Sequence, residues 1–334
     1  MKTQSLFFTA PRRLEIREKK LPPPVAEEVL VETIVSAISP GSELLIYRGE
    51  FPENLSGGAD EISANLRYPL AYGYACVGRV IASGPAARAW QDRLVFSFQP
   101  HCSHFLAAPA ALMPVPANLT PESACFLPNM ETAVNLIQDA APILGERALV
   151  LGQGIVGLLT TALLAQFPLE ILVSADKFAR RRAAALEAGA ALSLDPAEAG
   201  FRERARIALQ GGADFTLEVS GAPAALNDAL ALTAFSGRVI IGSWYGQKRA
   251  PLDLGGDFHR SRLRLIASQV STLAPELSGR WDKLRRFETA WRALAQLRPE
   301  KWITQRFPLS RAAEAYRLLD ETPGEAVQVL FEYP

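Results

Sequence analysis

The run Ala148-Leu149-Val150-Leu151-Gly152-Gln153-Gly154-Ile155-Val156-Gly157 decides how this chain is read. Four apolar residues predict a buried strand, and a G-x-G-x-x-G turn follows at once. A helix-competent segment, Leu158 to Gln166, comes next, and a second apolar run, Ile171 to Ala175, ends on Asp176. The whole is a β-α-β unit of the kind that holds a dinucleotide. Gly152 allows the tight turn, Gly154 lets backbone approach a pyrophosphate, and Gly157 lets the helix pack on the strand. The helix start, with Ile155 and Val156, offers N–H groups to the phosphates. A merely structural glycine turn would leave the strand, the helix and the spaced acid as coincidences. Asp176 can accept hydrogen bonds from ribose hydroxyls and repels a 2′-phosphate, which favours NAD(H). Lys177 and Arg180 to Arg182 stand close behind it and could pair with that phosphate, so NADP(H) stays open.

At 334 residues the chain fits two domains of usual size, and 49% hydrophobic residues suffice for two cores. Lys+Arg and Asp+Glu number 35 each, so the net charge is zero and no long single-sign run occurs. That argues against nucleic acid or a membrane surface as partner. Cys76, Cys102 and Cys125 form no C-x-x-C pair and suggest no disulfide framework, so a reducing cytoplasm is the expected compartment. The N-terminus lacks the long apolar core of a signal peptide. Glycines and polar residues split Leu149 to Ala175 into strand, helix and strand, which excludes a membrane span there.

Short β-branched runs such as Val29–Val35 and Cys76–Ile81 predict a β-rich region up to about residue 125. Helix-strand alternation then begins, with strands expected at 214–219, 238–241 and 263–266 and helices at 180–188 and 224–233. A helix from Arg280 to Leu297 and a closing strand at 326–332 complete the chain. In that helix Trp281, Leu284, Phe287, Trp291 and Leu294 recur at helical spacing and read as packing. The insert Phe51 to Arg67 reads as a surface loop, and His259 as part of a solvated or subunit-facing segment. The strand at 263–266 would leave an open sheet edge, which predicts a homodimer or homotetramer built on it.

This order of parts resembles the medium-chain dehydrogenase/reductase family over nearly the whole chain. Ile38-Ser39-Pro40-Gly41-Ser42-Glu43 stands where the family has Cys-Gly-Thr-Asp, and Gly73-Tyr74-Ala75-Cys76-Val77-Gly78 where it has Gly-His-Glu-x-x-Gly. Asp92-Arg93-Leu94-Val95 is similar to its Gly-Asp-Arg-Val turn, and Glu218-Val219-Ser220-Gly221 to its Glu-x-Thr-Gly strand end. The resemblance implies an α/β fold: a Rossmann dinucleotide-binding domain at 129–267 and a β-rich GroES-like catalytic domain at 1–128 and 268–334. It also implies nicotinamide-dependent oxidoreductase activity. Zinc-dependent members hold Zn²⁺ with Cys, His and Cys; here those places fall on Pro40, Tyr74 and Pro128. The four-cysteine structural lobe is missing too, so the chain resembles a zinc-free member, and no metal is expected. Ile38-Ser39, Ser42-Glu43, Tyr68-Pro69-Leu70 and Gly242-Ser243-Trp244-Tyr245-Gly246 are similar to bacteriochlorophyllide a dehydrogenase-like members. In His101-Cys102-Ser103-His104, extended backbone would point residues 101 and 104 to opposite faces, which disfavours a shared ion.

Without a metal, hydroxyl donors must stabilise the substrate oxyanion. Ser42 falls on the family's proton-relay position, with a local turn hydrogen bond as the competing reading. Tyr74 replaces a zinc-ligating His and either faces substrate or fills the space. Glu43 is expected to orient a neighbour. Thr132 falls where the family packs a Thr near the nicotinamide. Ser220 and the Gly242-Ser243 backbone are expected at the cofactor, together with Lys177. The activity implied is hydride transfer between nicotinamide and an alcohol/ketone. Alternatives are NADPH-dependent quinone or enone reduction, and a dinucleotide-binding sensor without chemistry.

Overall fold

The computed structural model describes residues 1–52 and 66–334. Most of the insert Phe51 to Arg67 therefore lies outside the described residues. The chain begins with β1 (Lys2–Ala10), β2 (Arg13–Lys20), β3 (Val29–Ala37), α1 (Pro40–Arg48), β4 (Leu70–Ala71), β5 (Cys76–Ser83), β6 (Leu94–Ser97), β7 (His104–Ala107), β8 (Met113–Pro114) and α2 (Pro121–Ala124). Helix-strand alternation follows: α3 (Leu127–Ala140), β9 (Arg147–Leu151), α4 (Ile155–Leu164), β10 (Ile171–Ala175), α5 (Ala179–Glu187), β11 (Leu192–Leu194), α6 (Phe201–Ala208), β12 (Ala213–Glu218), α7 (Ala225–Leu232), β13 (Thr233–Ile241) and β14 (Arg264–Ala267). Last come α8 (Lys283–Leu297), β15 (Ile303–Pro308), α9 (Ala312–Glu321) and β16 (Gln328–Glu332).

Contacts divide the chain into one unit of residues Met1–Pro128 and Leu294–Pro334 and a second of Asn129–Ala293. In the first, β2-β1-β4 form a small antiparallel sheet, and a larger one runs β15-β16-β3-β5-β6-β8 with β7 also on β3. Its core gathers Val29, Val31, Cys76, Val80, Val95 and Phe105. Ser39 stands at the N-cap position of α1 without a side-chain capping bond, and Pro40 occupies the first turn, where a missing N–H costs nothing.

The second unit is a parallel sheet in the order β11-β10-β9-β12-β13-β14. Counted from β9 this is 3-2-1-4-5-6, the doubly wound order whose direction reverses beside β9. Leu149 and Leu151 enter one core cluster and Ala148 and Val150 the other. Both faces of β9 are thus covered, which is why its sequence is continuously apolar rather than alternating.

The apolar series packs along α8 from Phe287 through Trp291 to Leu294, while Trp281 precedes the helix and Leu284 departs from the stripe. Phe287 and Leu294 are buried, but Leu284 is 67% exposed and the fully buried side chain beside it is Arg286. Arg286 Nε donates to Glu131 Oε1 at 3.0 Å, and its terminal nitrogens donate to Asn135 Oδ1 and to the carbonyls of Val270 and Thr272. Lys283 shares the same Glu131 oxygen. These bonds tie the 270–272 segment and the start of α8 to α3, and so hold residues up to Ala293 in the second unit. His259 is exposed. No helix among the described residues is long and apolar enough to cross a membrane.

Candidate functional site

The turn after β9 is shaped by three glycines that stand in different surroundings. Gly152 has φ +96°, and a Cβ there would stand 2.5 Å from Ser220 Cα. A Cβ on Gly157 would lie 1.9 Å from the Gly152 carbonyl oxygen. Both glycines are demanded by the fold itself. Gly154 differs: within 4 Å of its Cβ position lies only Arg181 Nη1, at 3.9 Å. Gly154 is also the N-cap of α4 and provides no side-chain cap, so the N–H groups of the first turn, from Ile155 to Gly157, head this space.

Asp176 follows β10 directly and closes the turn from the other side. Its Oδ2 accepts the Gln153 N–H at 2.7 Å and its Oδ1 accepts the Phe178 N–H at 2.8 Å. Each carboxylate oxygen keeps a second lone pair for a ribose hydroxyl. Of the basic residues behind it, Arg182 is committed to Asp195 at 2.8 Å, and Lys177 and Arg180 are exposed. Arg181 lies over the Phe178 ring with Nη1 4.0 Å from Asp176 Oδ2. Burial pulls the Arg181 guanidinium below its ordinary value, and Asp176 opposes that shift. This is the basic side chain that reaches the glycine turn, at 3.9 Å from the Gly154 Cβ position.

At the ends of β12 and β13 a second cluster forms around buried Glu218. Its Oε1 accepts the Ser220 N–H at 2.8 Å and the Ser220 hydroxyl, and Oε2 accepts the Tyr245 hydroxyl. Burial and the Glu218 charge push the Tyr245 phenol well up. Ser243 Oγ accepts the Gly221 N–H at 2.9 Å, and a Cβ at Gly242 would stand 2.6 Å from Leu136 Cδ2, so that side chain would have to shift. Ser220, Gly242 and Ser243 therefore stand together where β12 and β13 end. Thr132 lies on α3, half-buried in the same unit.

In the first unit, the Tyr74 hydroxyl donates to Ser42 Oγ at 3.3 Å. The two expected proton handlers are thus brought together. Behind them lies a buried chain that the sequence reading did not anticipate. His101 Nε2 stands 3.0 Å from Glu43 Oε2, and His101 Nδ1 stands 2.7 Å from Ser36 Oγ. Ser36 Oγ is in turn 2.9 Å from the Tyr333 hydroxyl, and Tyr316 donates to Glu43. Burial first, and Glu43 next, push the Tyr316 phenol well above its ordinary value. His104 instead faces Glu32 at 3.4 Å. The two histidines have different partners, His101 standing in a bend before β7 and His104 opening that strand.

The zinc positions do not fit Zn²⁺. Proline at 40 and 128 has no side-chain donor, and the Tyr74 phenol bonds to Ser42 rather than joining a thiolate and an imidazole. Among the described residues no group of three His, Cys, Asp or Glu side chains could hold a metal ion. Cys102, which could have been a ligand, is buried, and its thiol is pushed up to about 12.

Residues 156–287 match the zinc-binding dehydrogenase family. The chain is 21% identical over 366 residues to the starvation-sensing protein RspB of Escherichia coli K12, covering 99% of each. It is 24% identical over 211 residues to D-guloside 3-dehydrogenase of Shigella flexneri, covering 62% of this chain and 60% of that one. Among solved structures, a short chain alcohol dehydrogenase (RspB) from Escherichia coli CFT073 complexed with the cofactor NADH is similar with a TM-score of 0.80 at 18% identity, over 99% of both chains. The fold is that of alcohol dehydrogenase-like medium-chain proteins, with a Rossmann domain and a GroES-like domain.

Proposed function

We propose that this chain is a zinc-independent, NAD(H)-preferring oxidoreductase that interconverts an alcohol and a ketone. The observation that carries it is the Tyr74–Ser42 hydroxyl pair, standing where zinc-dependent relatives are expected to place their metal and relay. Relatives named as dehydrogenases, one of them solved with NADH, support the reaction class. A bound nicotinamide supplies or accepts the hydride.

The residues of this chain do the rest. The glycine turn and the α4 N-terminus hold the pyrophosphate, and Asp176 takes the ribose hydroxyls. As hydride reaches a carbonyl carbon, charge grows on the oxygen. Tyr74 and Ser42 donate to that oxygen and deliver its proton; in the reverse direction they take the proton from the alcohol. Each such donor is worth about 3 kcal/mol in the transition state.

The test is to supply C4-deuterated NADH with a panel of ketones and enones and to locate the label by NMR. Deuterium on the carbinol carbon is expected, with kcat lowered about 100-fold in Ser42→Ala and in Tyr74→Phe while NADH affinity holds. Label on the β-carbon of an enone would replace this reading with double-bond reduction. Tight NADH binding with no turnover of either panel would replace it with a sensor.

A further inference from the structure

Glu43 and His101 take no part in the proton transfer just described, yet they touch both backbone segments that carry it. Glu43 Oε1 accepts the N–H of Ser39 at 2.7 Å, which fixes the residue at the N-cap position of α1 immediately before Pro40-Gly41-Ser42. The His101 ring presses on the other segment. A Cβ at Gly73, whose φ is +121°, would stand 2.8 Å from His101 Cδ2 and 2.9 Å from Nε2. Only glycine lets the backbone leading into Tyr74 lie this close to the ring.

The two contacts join at the 3.0 Å bond between His101 Nε2 and Glu43 Oε2, and neither side chain has any exposure. The surrounding hydrogen bonds give the pair a direction. With the imidazole proton on Nε2, Ser36 donates to Nδ1 and Tyr333 donates to Ser36; Tyr316 and His101 then both donate to Glu43. Every proton in the chain points toward one carboxylate, and that carboxylate holds the start of α1. Ser36, His101 and Glu43 have the composition of a hydrolytic triad, but all three are 0% exposed, so no substrate reaches Ser36. A fully satisfied buried network of this kind rigidifies what it touches.

Building on the hydroxyl-pair reading, we propose that Glu43 and His101 are a positioning pair that sets the Tyr74–Ser42 geometry by clamping the Ser39–Ser42 and Gly73–Tyr74 backbones to one another. Neither residue touches the reacting atoms.

The experiment is amide hydrogen exchange on the full chain carrying His101→Asn or His101→Gln, with turnover measured in parallel. Asn can keep the Ser36 bond but cannot reach Glu43; Gln places its amide nitrogen near the lost Nε2. Loss of a hydrogen bond to a charged group should raise exchange about 10-fold or more in peptides spanning 38–43 and 72–75 of His101→Asn. The β1-β2 hairpin and NADH affinity should be unchanged, and His101→Gln should restore most of the protection. The kcat of His101→Asn should fall about 10- to 100-fold, with no further fall when the substitution is added to Ser42→Ala/Tyr74→Phe.

Unchanged exchange in the two segments, exchange raised evenly across the unit, or the same kcat loss in both backgrounds would overturn the proposal. If exchange rises locally while kcat ignores His101→Asn, Ser42→Ala and Tyr74→Phe alike, the clamp stands and the hydroxyl chemistry falls. Glu43→Gln, which preserves size, carries the same exchange expectation if His101→Asn does not fold.

Discussion

Gly154→Ala separates what the glycine turn does for the fold from what it does for a ligand. Gly154 has φ −65° and ψ −178°, a conformation open to any L-residue, and its Cβ position meets nothing nearer than Arg181 Nη1 at 3.9 Å. Alanine there should leave the melting temperature unchanged or slightly higher, because a compatible Gly→Ala change adds about 0.4–1 kcal/mol by restricting the unfolded chain. The same methyl occupies the space through which a pyrophosphate reaches the α4 N–H groups. Forcing one methyl into a close contact costs about 1–3 kcal/mol, so NADH should bind about 5- to 150-fold more weakly. Gly152→Ala and Gly157→Ala are the contrast, since a Cβ would meet backbone at 2.5 Å and 1.9 Å, and both should lower the melting temperature sharply. Calorimetric titration with NADH beside a thermal melt reads both quantities. Wild-type NADH affinity in folded Gly154→Ala would refute the assignment of this turn as the pyrophosphate site.

Asp176→Ser should weaken NADH binding, because the Gln153 and Phe178 N–H groups lose their acceptor, and should narrow the preference over NADPH as Arg181 is released; an unchanged NADH/NADPH ratio would count against Asp176 as the selector. Elemental analysis should find no stoichiometric zinc and chelation should leave activity intact, since Pro40, Tyr74 and Pro128 lack the ligands; one tightly bound equivalent would sink the zinc-free reading. Light scattering at micromolar concentration should report a homodimer or homotetramer, because β14 pairs with β13 on one side and ends the sheet there among the described residues; a monomer would contradict it. Burial alone would raise the Asp320 carboxyl, but hydrogen bonds from Arg48 and Arg12 overcome this and hold it below the usual range. A depressed carboxylate stabilises above its unfolded value, and the benefit fades as pH falls through the folded one. Asp320→Asn should therefore lower stability modestly at pH 7 and have a vanishing effect near pH 2, and an equal loss at both would show that packing rather than charge is at stake.

The nucleotide-binding half was legible because its geometry dictates residue type locally. A backbone oxygen 1.9 Å from a would-be Cβ leaves glycine alone at 157, and a strand covered on both faces must be apolar at every position of 148–151. The expected strands and helices of that half consequently fall within a few residues of the observed ones. The Ser42–Tyr74 pair was readable only through resemblance, since no local rule brings α1 and the segment before β5 together. The Glu43–His101–Ser36 chain left no trace in spacing. Its bonds join residues 58, 65 and 273 positions apart, and a polar network drawn from three elements and two residues outside them has no period to detect.

Helix α8 shows the same limit from the opposite direction. Hydrophobic periodicity assigns Leu284 to the inside and Arg286 to the outside, and the protein does the reverse. An apolar side chain gains only about 1.5–3 kcal/mol by burial, whereas removing one partner of a buried ion pair costs about 3–5 kcal/mol, a loss that Lys283 on the same Glu131 oxygen offsets only in part. Once Glu131 and Asn135 of α3 face this helix, the guanidinium outranks the leucine. At the start of α8 two polar residues some 150 positions upstream thus override the apolar stripe, which Phe287 and Leu294 keep further along the helix.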